Sequence, residues 1–292
     1  MAAYLLNRNS VKGWSPISNP KNLLESLNIL PKKSLGQNFL HDPNALEKIV
    51  QSAELPHDAV VLEIGPGTGA LTTHLAETAR RVVAFETDVR LRPVLEAMQQ
   101  QYPHLEIIWG DFLDVDLTGV VGSTPYYVVA NLPYYITSAI LRKLLEHPNH
   151  PKRMVVTVQR EVADRITAKS GEMSLLSVSV QFYGKPELVM RLNPAVFWPR
   201  PDVESAVVRI DTFSQPPVDV PDDTSFFKVV RAGFGQKRKQ LKNSLANGLA
   251  LTNERADLIL TAAGIDGRRR AETLNLEEWA ALARSFVALP KN

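Results

Sequence analysis

The stretch Val60-Val61-Leu62-Glu63-Ile64-Gly65-Pro66-Gly67-Thr68-Gly69 decides the reading of this chain. Its first half is a short, apolar, β-branched run that reads as a buried strand, and a glycine turn ends it. Beyond the turn, Leu71, Leu75 and Ala79 recur at helical spacing. Strand, turn and helix open a βαβ unit, and such a turn lies at the carboxyl end of the strands, where open α/β sheets bind ligands. Working outward, residues 81–86 read as a second strand, 88–101 as a helix and 105–109 as a third strand. A fourth strand follows at 126–130, a helix near 138–146 and a fifth strand at 154–158. This alternation predicts right-handed crossovers and a mainly parallel sheet.

The pattern then changes. Residues 176–182, 187–192 and 206–211 are strand-like with short connections, which predicts antiparallel strands at one edge. The proline-rich stretch 215–223 reads as a linker, and 225–289 shows helical spacing without a strand pattern. The expected organisation is therefore an N-terminal extension (1–30), an α/β catalytic domain (31–213) and a small all-helical domain (222–292).

Bulk properties narrow the class without deciding it. Hydrophobic residues make up 45% and charged residues 22% of the 292, values of an ordinary globular protein with ample core material. The formal net charge is +2 and the pI near 8.7, so any case for nucleic acid rests on where the charges sit. There are no cysteines, which excludes disulfides, thiolate metal sites and cysteine nucleophiles and fits a cytoplasmic protein. No apolar run approaches the length of a membrane span. The first 24 residues hold Arg8, Lys12 and Lys21 and no carboxylate before the Glu25 that follows, a vague likeness to an organellar leader. An unstructured extension is the plainer reading.

Two acidic residues extend the glycine signal. Gly65, Gly67 and Gly69 allow backbone N–H groups to approach a ligand closely. Glu86 ends the second strand, where a carboxylate can accept both hydroxyls of a ribose. Asp111 follows the third strand and is placed to accept from an adenine amino group. These features suit NAD as well, because Ala70 completes a G-x-G-x-x-A pattern. Glu63 lies inside the apolar strand, and a buried carboxylate needs a partner: a cationic ligand group, a salt bridge or backbone donors.

Asn131-Leu132-Pro133-Tyr134 ends the fourth strand and is the most specific motif in the chain. An aromatic amine is a poor nucleophile because its lone pair is delocalised into the ring. Methyl transfer to it requires a pyramidal nitrogen, which two acceptors aimed at its hydrogens favour: the Asn131 side-chain oxygen and the Leu132 carbonyl. Pro133 fixes the backbone and Tyr134 offers a ring for stacking. A base reaches such a pocket only after leaving its stack.

With these residues the chain resembles the bacterial small-subunit (16S) rRNA adenine N6,N6-dimethyltransferases. The resemblance runs from about residue 32 to 284. It comprises Lys33-Ser34-Leu35-Gly36-Gln37-Asn38-Phe39-Leu40, then Leu62 to Gly67, then the Asn-Leu-Pro-Tyr motif. Two more follow: Val196-Phe197-Trp198-Pro199-Arg200-Pro201-Asp202-Val203-Glu204-Ser205-Ala206, and Phe234 to Leu245. The resemblance implies a Rossmann-like class I methyltransferase sheet and S-adenosylmethionine as cofactor, contacted by Asn38, Leu40, Gly65, Glu86, Asp111 and Asn131. It implies that Phe197 packs on the extruded adenine opposite Tyr134. It also implies the reaction, two methyl groups on each of two adjacent adenosines in the 3′-terminal hairpin of small-subunit rRNA during ribosome biogenesis.

Basic residues cluster as that substrate requires: Lys237, Arg238, Lys239 and Lys242, then Arg268, Arg269 and Arg270, then Lys32 and Lys33. Such clusters neutralise backbone phosphates, although any one of them also suits a solvated helix face. The expected partner is the small ribosomal subunit, with no metal, no membrane and a monomeric enzyme. Three alternatives stand beside this reading: a large-subunit rRNA methylase of the antibiotic-resistance type, a NAD-dependent dehydrogenase, and a non-catalytic RNA-binding assembly or transcription factor on the same fold. Gly65-Pro66-Gly67 and Leu132 favour the small-subunit type over the first. The Asn-Leu-Pro-Tyr motif argues against the second, and intact Asn131 and Tyr134 against the third.

Overall fold

The structure, a computed structural model, describes residues 19–290. Its strands are β1 (Phe39–Leu40), β2 (Val60–Ile64), β3 (Arg81–Glu86), β4 (Leu105–Trp109), β5 (Tyr127–Asn131), β6 (Arg153–Gln159), β7 (Gly184–Leu192), β8 (Phe197–Trp198) and β9 (Ser205–Thr212). Seven of them form one sheet in the order β4-β3-β2-β5-β6-β9-β7. The β3–β4, β2–β3, β2–β5 and β5–β6 pairs are parallel, whereas β9 runs antiparallel to β6. The strand order reverses between β2 and β5, so the glycine turn after β2 opens onto the crevice where such sheets take ligands. All five residues of β2 are buried, as expected for a strand covered on both faces.

Helices α1 (Pro20–Ser26), α2 (Pro43–Ala53), α3 (Ala70–Thr78) and α4 (Arg92–Gln101) supply Leu24, Leu46, Ile49, Leu75, Leu95 and Met98 to one apolar cluster with Val61, Val82 and Val129. Helices α5 (Leu117–Val121) and α6 (Thr137–Leu145) follow β4 and β5. Leu24 is fully buried and Ile29 joins the same cluster, so one face of the 20–29 stretch packs on the core. Residues 1–18, with Arg8 and Lys12, lie outside the described residues, whereas Lys21 is in α1 and pairs with Glu25 at 3.8 Å.

The chain forms two compact units. One holds the sheet, up to Arg160 and again over Glu187–Asp211, and the other comprises Glu161–Pro186 and the chain from Thr212. The helical unit includes α7 (Arg160–Ile166) from its second residue, α8 (Leu175–Tyr183), α9 (Asp223–Phe234), α10 (Leu241–Gly248), α11 (Asn253–Ala262) and α12 (Leu276–Ala288). Its core holds the fully buried Trp279 and Phe226, with Phe182 stacked on Phe226 at 4.5 Å.

One expected strand, 176–182, is helix α8 instead. The alternation of Leu176, Val178, Val180 and Phe182 with serines and glutamine mimics a strand. Local chemistry decides otherwise: Ser174 accepts from the Ser177 N–H and the Ser177 hydroxyl accepts from the Ser174 N–H, a reciprocal helix cap. Ser177 and Ser179 then direct their hydroxyls to the Arg165 and Leu175 carbonyls. A helix apolar on most sides is a buried helix.

Candidate active site

Gly67 has φ +57°, a left-handed conformation, and a Cβ built on it would fall 2.8 Å from the Phe39 ring. The turn therefore closes against the segment leading into β1, and only glycine fits there. The Gly67 N–H donates to Glu86 Oε2 at 3.0 Å, while the Thr87 and Asp88 N–H groups donate to Oε1 at 2.9 and 2.8 Å. The carboxylate is thus fixed at the end of β3 beside the glycine turn, in register with Ile64↔Phe85. Burial raises the Glu86 pKa against the opposing pull of those three N–H donors. One strand further, Asp111 accepts from the Leu113 N–H at 2.9 Å and caps the turn after β4.

Glu86, Asp111, Gly65 and Gly67 line one cleft. Its other wall carries Asn131, Leu132, Pro133 and Tyr134, and its cover carries Gln37, Asn38 and Phe39. Asn131 ends β5, and its Nδ2 donates to the Asn38 carbonyl at 3.0 Å. That bond fixes the amide orientation, since a flipped amide would set oxygen against oxygen. The Asn131 Oδ1 is buried and accepts from no group among the described residues. A buried acceptor without a partner calls for an explanation, and on a residue that lines the cleft a donor that arrives with a ligand supplies one. The Leu132 N–H donates to the Thr157 carbonyl at 3.1 Å, which holds the motif to β6. Tyr134 is braced through its hydroxyl, 2.6 Å from Ser205 Oγ.

Three of the expected contact residues are not among those lining the cleft. Glu63 is 1% exposed and is absent from the lining; desolvation pushes its pKa to about 8. Leu40 is buried in the β1–β8 ladder opposite Phe197, and its neighbours Asn38 and Phe39 reach the cleft in its place. Phe197 is 3% exposed and packs in the apolar cluster of the sheet unit. Conversely, the cleft draws on Gln37, Phe39, Thr87, Phe112 and Tyr135, which the sequence reading did not single out as site residues. The signal for Tyr135, which is 60% exposed, was the Tyr-Tyr doublet after Pro133. Phe112 carried none, since its place depends on an edge contact with Phe85 and on Lys143 above its ring.

Among the basic clusters, Lys237, Arg238 and Lys239 are exposed and have no carboxylate partner among the described residues. Lys242 pairs with Asp257, Arg268 with Asp266, and Arg270 with Glu272 at 3.8 Å. Arg269 is committed internally, to Glu278 and to the Thr273 carbonyl. Lys32 and Lys33, in the other unit, are exposed. The described residues include no cluster of potential metal ligands and no helix long and apolar enough to cross a membrane.

A switch-point cleft with a glycine turn, a fixed carboxylate and an Asn-Leu-Pro-Tyr wall defines a Rossmann-like methyltransferase. The comparisons narrow the class: the family model described as ribosomal RNA adenine dimethylase matches residues 29–287, and the chain belongs to that family. It is 47% identical to the ribosomal RNA small subunit methyltransferase A of Geobacillus sp. (strain WCH70), over 91% of this chain and 95% of that one. The protein of the same name from Bacillus mycoides (strain KBAB4) is 45% identical over the same shares. Among solved structures, the 23S rRNA methyltransferase ErmE is 30% identical with a TM-score of 0.68, covering 85% of this chain and 99% of that one. A dimethyladenosine transferase from Plasmodium falciparum has a TM-score of 0.72 at 24% identity, covering 85% and 97%, and shares the fold.

Proposed function

We propose that this protein transfers methyl groups from S-adenosylmethionine to N6 of two adjacent adenosines in the 3′-terminal hairpin of small-subunit rRNA, as a monomeric cytoplasmic enzyme of ribosome biogenesis. The observation that carries the reading is the Asn131 Oδ1, buried, without a hydrogen-bond partner among the described residues, and held in orientation on a residue that lines the cleft. Relatives named for the small subunit are 45–47% identical, against 30% for the large-subunit enzyme ErmE, which favours the small subunit as substrate.

The cleft residues fit the cofactor. Glu86, held at the end of β3, would accept from the ribose hydroxyls, and Asp111, one strand beyond, from the adenine amino group. The turn around Gly67 offers backbone too close to Phe39 for any side chain. When bound, S-adenosylmethionine supplies an electrophilic methyl group on a sulfonium. The protein then contributes position and orientation. In the first transfer Asn131 Oδ1 and the Leu132 carbonyl accept the two N6 hydrogens, and in the second one of them accepts the single hydrogen left on N6; each draws the nitrogen toward a pyramidal geometry, freeing its lone pair for attack. The methylated nitrogen is strongly acidic, so its proton leaves to water without a dedicated base. Tyr134, braced by Ser205, stacks on the extruded base. Lys237, Arg238 and Lys239 bind phosphates of the RNA, with Lys32, Lys33, Lys242, Arg268 and Arg270 contributing at the edges.

Isothermal calorimetry with S-adenosylmethionine and with NAD tests the cofactor assignment. We expect S-adenosylmethionine to bind and NAD to give no heat. NAD binding without S-adenosylmethionine binding would overturn it.

A further inference from the structure

The segment Leu30 to Asn38 covers the cleft, yet it has little secondary structure of its own. The β1–β8 ladder begins only at Phe39. The backbone bonds of the segment are local, Leu35 N–H to the Lys32 carbonyl and Gly36 N–H to the Lys33 carbonyl. Among the described residues, its hydrogen bonds to the rest of the sheet unit run through three side chains, Asp88, Arg90 and Asn131. Gln37 Nε2 donates to Asp88 Oδ2 at 2.8 Å, while Gln37 Oε1 accepts from the Lys32 N–H at 2.7 Å. Arg90 grips the same Asp88 carboxylate at 2.6 and 2.8 Å and donates to the Leu30 carbonyl at 3.0 Å. Burial raises the Asp88 pKa, but the donors Arg90 and Gln37 outweigh it and hold the carboxyl at about 2, ionised throughout the working range. The other tie is the Asn38 carbonyl, which accepts from Asn131 Nδ2.

Two facts link these ties. Gln37 and Asn38 are adjacent, so whatever holds Gln37 holds the carbonyl that orients Asn131. Asp88 also donates its own N–H to Glu86 Oε1 at 2.8 Å. The run from Glu86 to Arg90 therefore carries the cleft carboxylate on one side and the latch of the segment on the other. Gly36 completes the arrangement: a Cβ there would come 3.2 Å from the Tyr135 ring, so the segment lies flat on the catalytic wall.

We propose that Gln37 is a positioning residue for methyl transfer. Through Asp88 it latches the 30–38 segment, so that the Asn38 carbonyl holds the Asn131 amide, and with it the unpaired Oδ1, in one orientation. The inference rests on the catalytic role assigned to Asn131 above. The competing account is that the β1–β8 ladder holds the segment alone and Gln37 merely satisfies its own polar atoms.

The test compares wild type with Gln37→Leu, which keeps size but loses donor and acceptor, and with Gln37→Asn, which stays polar but is one methylene short. The first readout uses the cofactor-free protein: hydrogen exchange of the Asn131 side-chain amide by nitrogen-15 NMR, assigned through Asn131→Ala. We expect exchange to quicken about tenfold in both variants, as for loss of one hydrogen bond of ordinary strength. The second readout is single-turnover methyl transfer to small subunits at saturating S-adenosylmethionine. The rate should fall about tenfold while KM for the subunit stays within about threefold, the pattern of an interaction felt in the transition state alone. Wild-type exchange and rate in both variants would overturn the proposal. A wild-type protein that transfers no methyl group would instead refute the proposed function and leave the exchange comparison readable.

Discussion

At the scale of single residues, the account turns on which polar atoms are used and which are open. Asn131 has its nitrogen engaged and its oxygen open, so removing the side chain should remove catalysis rather than binding. Asn131→Ala is expected to abolish turnover with cofactor affinity within about tenfold, or 1.4 kcal/mol, by calorimetry. Glu63 gives a prediction of the opposite kind, for stability alone. Its folded pKa of about 8 lies above the ordinary 4.5, because desolvation favours the protonated form. The folded state therefore holds a proton that the unfolded chain releases, and its stabilising effect is lost as pH rises from 4.5 through about 8. Thermal melts of wild type and Glu63→Gln across that window should converge at low pH and diverge above it, wild type falling below the variant. Parallel curves would show that Glu63 stays ionised. Glu86, Asp111 and Asn131 were legible in the sequence because strand ends at a switch point fix their position. Leu40 and Phe197 were expected from the resemblance alone, and the buried surroundings of Glu63, Leu40 and Phe197 were not legible, since the period of a strand tells which face a residue takes and not what covers that face.

At the scale of elements, the glycine turn, the parallel strands and their helices follow from short-range pattern, and the structure agrees with that reading. Helix α8 does not follow, because its alternation of apolar residues and serines satisfies a strand template, and tertiary packing overrides the period. The structure places Val178 and Phe182 in the core of the helical unit with Phe226 and Phe227. Ser174→Ala should then lower stability by about 1 kcal/mol, the usual effect of losing a helix cap, in chemical denaturation. Phe182→Ala should lower it by about 3–5 kcal/mol. A neutral Ser174→Ala variant would argue against the reciprocal cap. Helix α2 was missed although its start is written in the sequence: Asp42 accepts from the Ala45 N–H and Pro43 occupies the first turn.

At the scale of the whole molecule, the chain divides chemistry from charge. The sheet unit holds the cleft, and the helical unit holds the densest exposed basic run. Changing Lys237, Arg238 and Lys239 together to Ala removes three potential phosphate contacts. The slope of log affinity against log salt should flatten by up to about 0.9 per lost contact for duplex-like RNA, and less for single strands. Cofactor affinity should stay unchanged, and equal slopes for wild type and variant would move the RNA surface to Lys32, Lys33 or the Arg268 run. The division into a sheet and a helical part was legible from the change of period past residue 223. The transfer of residues 161–186 to the helical unit was not, because their partners lie far along the chain, as with Gly171 and Met173, which both donate to the Glu272 carbonyl.

The central claim is that the open Asn131 oxygen serves an adenine amine of small-subunit rRNA. Its most direct test is to incubate the protein with isotope-labelled S-adenosylmethionine and separate immature small and large subunits, then digest the RNA and map methylated nucleosides by mass spectrometry. The account predicts N6,N6-dimethyladenosine at two adjacent positions of the 3′-terminal hairpin of small-subunit rRNA, and no label in the large subunit. Label confined to large-subunit RNA, or on a base other than adenine, would contradict it.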